Sequence, residues 1–474
     1  MRFNSVRRYV SVLFVLTLFL TGPLTQQVYS APSQQTTPFL DAAWYRENLI
    51  KAADLWNGGL DGQSGMGTYQ DDFNGFFHVN MDREWNQLPM RSSTSVVQSR
   101  GIYMNVEAYR VAGPEEGARF LKAVNQGVDF LLANFKDSEL GGFYWEVSPN
   151  GSVVTDMKQG YGNVHPLLAL THAYSITHNP DHLAAALEQY EVIKQHFLDP
   201  NYPGAILPGF SRDFSEIMGV NNIDTFTHWF EDLLALYDVT EGAQHDEIVD
   251  MITLHGNFLT QYLYHDQEGF TDRGYMAYNY DEEWQPSQMP YSRETQWSGA
   301  LQASTGHNIE LAFLLSRAVE RGFNLEWLEV GDKLIKFCLE YAIDPTTGGM
   351  LYEVTDYDGQ PLEGNPDNDL YIYWAQAETA RALLHYTVAR NMDYVAQFKA
   401  VEMLFNQYMT DQEYGGLYHA LDAKHDLEPS NPNKGDVWKT NYHYSMFFVE
   451  VLRLAEQYPE RIDELNATYV PAAS

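Results

Sequence analysis

The sequence predicts an all-α (α/α)6 barrel: six helical hairpins closed around a central funnel, with short β-hairpins at one end. Three observations predict it. First, an Asp followed four residues later by Gly and an apolar residue recurs as Asp71…Gly75-Phe76, Asp137…Gly141-Gly142, Asp344…Gly348-Gly349 and Asp411…Gly415-Gly416, with weaker copies at Asp199 and Asp266. By subtraction these aspartates are 66, 62, 67, 78 and 67 residues apart. A fixed period along a chain marks one repeated supersecondary unit, and this one is long enough for two helices and a hairpin. Second, about twelve segments between the marks carry the i, i+3, i+4, i+7 apolar spacing of a helix. Third, these segments alternate in character. Those such as 180–197 and 325–343 have one apolar stripe, whereas 160–177 and 438–456 are apolar nearly all round, as helices buried between an outer ring and a cavity must be.

In chain order the segments lie near 40–57, 92–112, 115–134, 160–177, 180–197, 223–239, 243–264, 300–320, 325–343, 371–391, 393–411 and 438–456. Gly113-Pro114, Asn179-Pro180, Gly242, Gly322 and Asn391 separate the members of each pair, because these residues end helices or open turns. Phe143 to Val147 followed by Pro149-Asn150-Gly151 reads as a strand and its turn, and Met350 to Val354 followed by Tyr357-Asp358-Gly359 repeats it. The insertion at 270–300 carries Tyr275, Tyr278, Tyr280, Trp284, Tyr291 and Trp297; so many aromatics predict an ordered lid or rim.

The start of the chain has the pattern of a secretory signal over residues 1–30: Arg2, Arg7 and Arg8, an apolar run from Val10 to Leu20, and a small-residue site before Ala31. Residues 31–474 then form a single barrel domain, secreted or periplasmic. The lone Cys338 excludes an internal disulfide. The formal net charge of -35 argues against nucleic acid and anionic membranes as partners. A monomer or homodimer is expected, and aromatic residues at 14% of the chain suit a sugar-stacking cavity.

Polar residues collect where the inner helices begin: Arg100 with Tyr103; Lys158, Tyr161 and His165; His228 with Glu231; His307 with Glu310; Trp374 with Glu378; and His443. Spacings of three or four put each group on one helix face, and alternating hairpins bring all six groups to one end of the ring. The His-x-x-Glu order differs from the zinc-binding His-Glu-x-x-His and reverses the Glu-x-x-His of di-iron bundles, so no metal is expected. Glu231, Glu310 and Glu378 leave open a pair of hydrolytic carboxylates. No Gly-x-Ser-x-Gly elbow is present.

Gly306-His307-Asn308-Ile309-Glu310, Trp374-Ala375-Gln376-Ala377-Glu378 and Lys439-Thr440-Asn441-Tyr442-His443 resemble the signatures of the N-acylglucosamine 2-epimerase superfamily, which includes cellobiose 2-epimerases and mannose isomerases. Gln98-Ser99-Arg100, Lys158…His165 and His228-Trp229-Phe230-Glu231 are similar to it as well. The resemblance runs from about residue 40 to 456. It implies an (α/α)6 barrel without metal or organic cofactor, which abstracts and returns the C2 proton of a reducing-end sugar through an enediolate. His443 and His307 would be the acid/base pair and Glu310 would orient His307. His228 would assist ring opening, Arg100 and Tyr103 would stabilise the enediolate, and Trp374 would stack on the sugar. Lys158, Tyr161, Glu231 and Glu378 would complete the binding site. Two positions depart from the family's pattern: Met446 stands where an Arg is frequent, and Phe313 where cellobiose-type enzymes often carry Trp. Aldose–ketose isomerisation by one histidine, and a hydrolytic or sugar-binding barrel, remain the alternatives. N-terminal sequencing of the exported protein should begin near Ala31; an intact Met1 would refute export by cleavage.

Overall fold

The computed structural model describes residues 39–58, 75–89, 92–296 and 298–467; the expected signal, Asp71 and Trp297 lie outside them. Its helices are α1 Ala42–Trp56, α2 Ser95–Glu116, α3 Ala118–Phe130, α4 Gly160–Thr177, α5 Pro180–Val192, α6 Ile223–Tyr237, α7 Gly242–Phe258, α8 Thr305–Glu320, α9 Trp327–Tyr341, α10 Tyr373–Ala389, α11 Val395–Met403, α12 Tyr442–Gln457 and α13 Pro459–Ala467. The breakers act as expected. Asn179 caps α5 through its side chain, with Pro180 in the first turn. Gly113 has φ 79° and interrupts α2 just before Pro114. Helix α13 was not anticipated.

The even-numbered helices α2 to α12 form the inner ring, each packed on the next, and α12 closes on α2. The odd-numbered helices α1 to α11 back them. Inner helices are buried over most of their surface, as in α4, where Gly160 to Thr171 are all buried. This burial explains the absence of a polar face in their sequences. Among the described residues no helix is long and apolar enough to cross a membrane.

A collar of short strands sits where the inner helices start. Ser93–Thr94, Lys158–Gln159, Asn221–Asn222, Ala303–Ser304 and Leu370–Ile372 each pair antiparallel with a strand from the loop that follows the next outer helix. Helices α8 and α12 therefore begin later than periodicity predicts, because their leading residues are spent on the collar or its turns. Glu146–Val147 also pairs with Val153–Thr155, which is the expected hairpin.

The recurring Asp is the joint of this collar. The peptide N–H of Gly141 donates to the Asp137 carbonyl at 2.9 Å, and that of Asp137 to the Gly142 carbonyl at 2.9 Å. Asp344 and Asp411 repeat both bonds with Gly348-Gly349 and Gly415-Gly416. Gly141, Gly348 and Gly415 have φ of 81°, 70° and 70°, a left-handed conformation that glycine adopts without steric cost. The carboxylates then reach other repeats. Asp137 receives Lys158 Nζ at 3.0 Å and Arg212 Nε at 2.8 Å. Asp411 receives Lys434 Nζ at 2.7 Å and Arg83 Nε at 2.8 Å. Asp344 accepts from the Tyr371 hydroxyl at 3.0 Å, and Asp199 from Trp284 Nε1 at 3.0 Å.

This corrects the reading of Lys158 as a sugar ligand. Its ammonium is fully buried against Asp137, and burial pushes it down to about 8 despite that partner. The insertion at 270–300 is a clamped rim. Trp284 is fully buried and bonded to Asp199, and Tyr278 reaches inward to Asp224 at 2.7 Å.

Breaking a buried ion pair from one side leaves an uncompensated charge, a loss of roughly 3–5 kcal/mol. Asp137→Ala should therefore lower the thermal midpoint sharply. Adding Lys158→Met should recover part of that loss, as calorimetry of the two variants would show.

Candidate active site

Each inner helix presents the side chains of its first turns to one end of the funnel. From α2, Arg100 is buried and donates through Nη2 to the Tyr161 hydroxyl at 2.5 Å, through Nε to His165 Nε2 at 3.2 Å, and through Nη1 to the Trp438 carbonyl at 2.9 Å. Its guanidinium lies 4.5 Å from the centre of the Tyr442 ring. His165 must accept on Nε2, so it is neutral, and burial holds it well below the usual imidazole range.

Two histidines are backed by carboxylates in the same way. His443 Nδ1 donates to Glu378 Oε1 at 2.8 Å. His228 Nδ1 donates to Glu231 Oε2 at 3.1 Å, and the Tyr442 hydroxyl donates to the same oxygen. A carboxylate on Nδ1 fixes the tautomer and leaves Nε2 as the basic atom. Among the described residues neither Nε2 has a hydrogen-bond partner. Burial outweighs the nearby carboxylate and pushes His443 down to about 4, so its imidazole is neutral in ordinary buffers.

His307 is held differently from expectation. Its Nδ1 is hydrogen-bonded with Ser304 Oγ at 2.7 Å, and its Nε2 lies 2.7 Å from Asp224 Oδ1. Glu310 does not orient it. The three-residue spacing does put both on one face of α8, but the Glu310 carboxyl turns into the buried centre, where neither oxygen has a hydrogen-bond partner among the described residues. The carboxylate that reaches His307 comes from α6. Trp374 neighbours both candidate bases, its ring centre 4.9 Å from that of His307 and 5.5 Å from that of His443. Its Nε1 donates to Glu353 Oε1 at 3.1 Å.

Three carboxyls converge beneath the histidines. Burial, then the neighbouring Glu378 and Glu231, push Glu310 far above the usual range, so it carries a proton. Burial also opposes ionisation of Glu378, but Arg381 and His443 prevail and hold it low. Glu231 is held down to about 2 against burial by His228, Arg381 and Tyr442. Tyr103 lies in the floor with Leu168, Tyr442 and Met446, one turn below Arg100 along α2.

Glu310, Glu378 and His443 place ligand-type atoms within 4.8 Å of one another, the number of protein ligands a catalytic metal needs. The arrangement does not fit a cation. Both Glu378 oxygens are engaged, by His443 and by Arg381 Nη1 at 3.0 Å. The His443 nitrogen facing Glu378 is the donor, Glu310 is protonated, and a guanidinium occupies the neighbouring space.

The family model for N-acylglucosamine 2-epimerase matches residues 75–445. The chain belongs to that family. It is 24% identical over 397 residues to a cellobiose 2-epimerase of Bacteroides fragilis, covering 81% of this chain and 93% of the relative. It is 24% identical over 343 residues to a D-mannose isomerase of Marinomonas mediterranea, covering 71% and 81%. A crystal structure of D-mannose isomerase superposes with a TM-score of 0.73 at 20% identity, covering 88% of this chain and 100% of that one. The (α/α)6 fold is shared, and the two departures acquire a physical setting here. Phe313 lies under the Arg381 guanidinium at 3.8 Å, and Met446 Sδ is 3.3 Å from Arg381 Nη1.

Sequence reasoning missed Asp224, Tyr442, Trp438 and Arg381. Asp224 stands four residues before His228, and Arg381 three after Glu378, so helical spacing carried a signal for both. Trp438, half exposed at the funnel mouth, opens the segment that periodicity assigns to the last inner helix but stands in the turn before α12, so it read as a helix position and not as a site residue. Histidine titration by NMR will show the His443 imidazole neutral from pH 7 down to about 5, and protonating only as the pH approaches 4.

Proposed function

We propose that this protein is a cofactor-independent carbohydrate 2-epimerase, exported from the cell, that acts on the reducing-end unit of a mono- or disaccharide. The carrying observation is the Glu378-backed His443, with a bare Nε2, beside a Trp374 ring that also touches His307. The proton on C2 of an open-chain aldose is weakly acidic, so its removal needs a positioned base and a donor at the developing enediolate oxygen. His443 Nε2 takes the proton. The electron pair of the C2–H bond moves into C1–C2, and the C1 oxygen gains the negative charge. Arg100, aligned by Tyr161 and His165, is the cation for that oxygen. His228 assists ring opening: its bare Nε2 takes the proton of the anomeric hydroxyl and hands it to the ring oxygen as the bond between C1 and that oxygen breaks. Return of a proton to the opposite face of C2 from the His307 side inverts the centre.

Aldose–ketose isomerisation is the second reading, and one observation favours it. Both His307 nitrogens are engaged, by Ser304 and Asp224, which leaves His443 to move the proton from C2 to C1 alone. The names of the relatives supply the probes, cellobiose and D-mannose.

NMR of products formed in heavy water decides between these outcomes. Epimerisation gives the C2 epimer with solvent deuterium at C2. Isomerisation gives a ketose that keeps part of the original hydrogen at C1. Monosaccharides from cellobiose would mean hydrolysis. His443→Asn should reduce turnover by about 10²–10⁴-fold with sugar binding retained, and EDTA should leave the wild-type rate unchanged. Full activity of His443→Asn would refute the mechanism.

A further inference from the structure

We propose that Arg381 is the positioning residue of this site, a single cation that holds Glu378 and Glu231 ionised and thereby fixes His443 and His228 with Nδ1 protonated and Nε2 bare. The inference deepens the epimerase reading and rests on it for its kinetic arm only.

The geometry is a two-sided relay. Arg381 Nη1 donates to Glu378 Oε2 at 3.0 Å, and the other Glu378 oxygen receives His443 at 2.8 Å. Arg381 Nη2 lies 4.0 Å from Glu231 Oε1, and the other Glu231 oxygen receives His228 at 3.1 Å. One guanidinium therefore stands behind both histidine–carboxylate pairs. The charged and titratable groups that face it are Glu378 on its own helix, Glu231 from α6, Glu310 from α8 and Tyr103 from α2; from α12, Tyr442 bonds Glu231. Three buried carboxyls this close cannot all ionise. With Arg381 among them two carry charge and Glu310 keeps its proton. Without it, protons return to Glu378 or Glu231, and a protonated carboxyl no longer dictates which imidazole nitrogen holds the hydrogen.

The seat of the guanidinium is built for a charge without further donors or acceptors. It lies on the Phe313 ring at 3.8 Å, a cation–π contact, with the soft Met446 sulfur at 3.3 Å. The far end of the inner helices holds an instructive counterpart. There Arg453 backs Glu450, whose Oε1 is 2.8 Å from His385 Nδ1, but His385 Nε2 is closed by Ser316 Oγ at 2.7 Å. The same charge order thus serves structure where Nε2 is capped, whereas the Arg381 relay leaves two basic nitrogens open.

The test uses full-length protein with ¹⁵N-labelled histidine, plus kinetics on cellobiose and D-mannose. Arg381→Met should change the tautomer signals of both His443 and His228 at pH 7. It should lower kcat by about 10²-fold or more, while KM for whichever sugar is turned over moves less than about threefold. Because Met446 lies against Arg381, the double variant Arg381→Met/Met446→Arg returns a guanidinium to the same space from α12; it should restore the wild-type histidine signals and most of kcat. Should Arg381→Met fail to fold, Arg381→Gln and the double variant carry the same comparison. Arg453→Met is the control for mere loss of a buried cation: stability falls, but the His443 and His228 signals stay. Unchanged histidine signals in Arg381→Met or Arg381→Gln would overturn the proposal, as would a double variant that folds yet restores neither signals nor rate. If the wild type converts neither sugar, the function reading fails, and the histidine signals still decide the role of Arg381.

Discussion

The carboxylate of the recurring Asp, buried at Asp137 and Asp411 and half-buried at Asp344, is the joint on which the ring depends. Its backbone closes a turn with a glycine pair, while its side chain takes a buried cation or hydroxyl from another repeat: Lys158 for Asp137, Tyr371 for Asp344 and Lys434 for Asp411. Lys158 and Tyr371 belong to the strands that lead into α4 and α10. One residue type thus fixes the angle at which a hairpin leaves the collar and the place where an inner helix starts. The site is made of the first turns of those helices, so its geometry inherits the precision of the joints.

The second constraint is electrostatic. A chain of net charge -35 brings three carboxyls to the centre of a buried funnel. Two features make that tolerable. The inner helices point their N-termini at the site, and each contributes a partial positive charge there. Arg100 and Arg381 add whole charges, one near the mouth beside Trp438 and Tyr161, the other in the floor on Phe313. In the proposed mechanism these cations divide the labour: Arg100 serves the oxygen that would become negative during reaction, and Arg381 governs where protons rest before it begins. A sugar, which brings no charge of its own, enters such a site without upsetting the balance, whereas a polyanion would be repelled by the protein as a whole.

Much of this was written in local spacing. The period of the Asp–Gly turn, the paired amphipathic segments and the contrast between α4 and α5 specify six hairpins, because a helix apolar all round has to be enclosed and one with a single stripe has to face water. Helical spacing likewise put His228 with Glu231 on one face and Trp374 beside Glu378, and the chain order of these groups was enough to indicate convergence at one end. Which partners meet across the funnel was not legible. His307 shares a face with Glu310 yet is met by Asp224, because α6 and α8 bring those side chains within 2.7 Å while Glu310 turns inward. Lys158 has the sequence position of a ligand and the environment of a structural cation. Met446 and Phe313 look like losses when read along the chain, and they are the seat of Arg381 once α8, α10 and α12 are packed together. Period and polarity are properties of one segment, so the sequence determined them; pairing of charges between segments depends on the radius and register of the closed ring, and only the tertiary structure decided it.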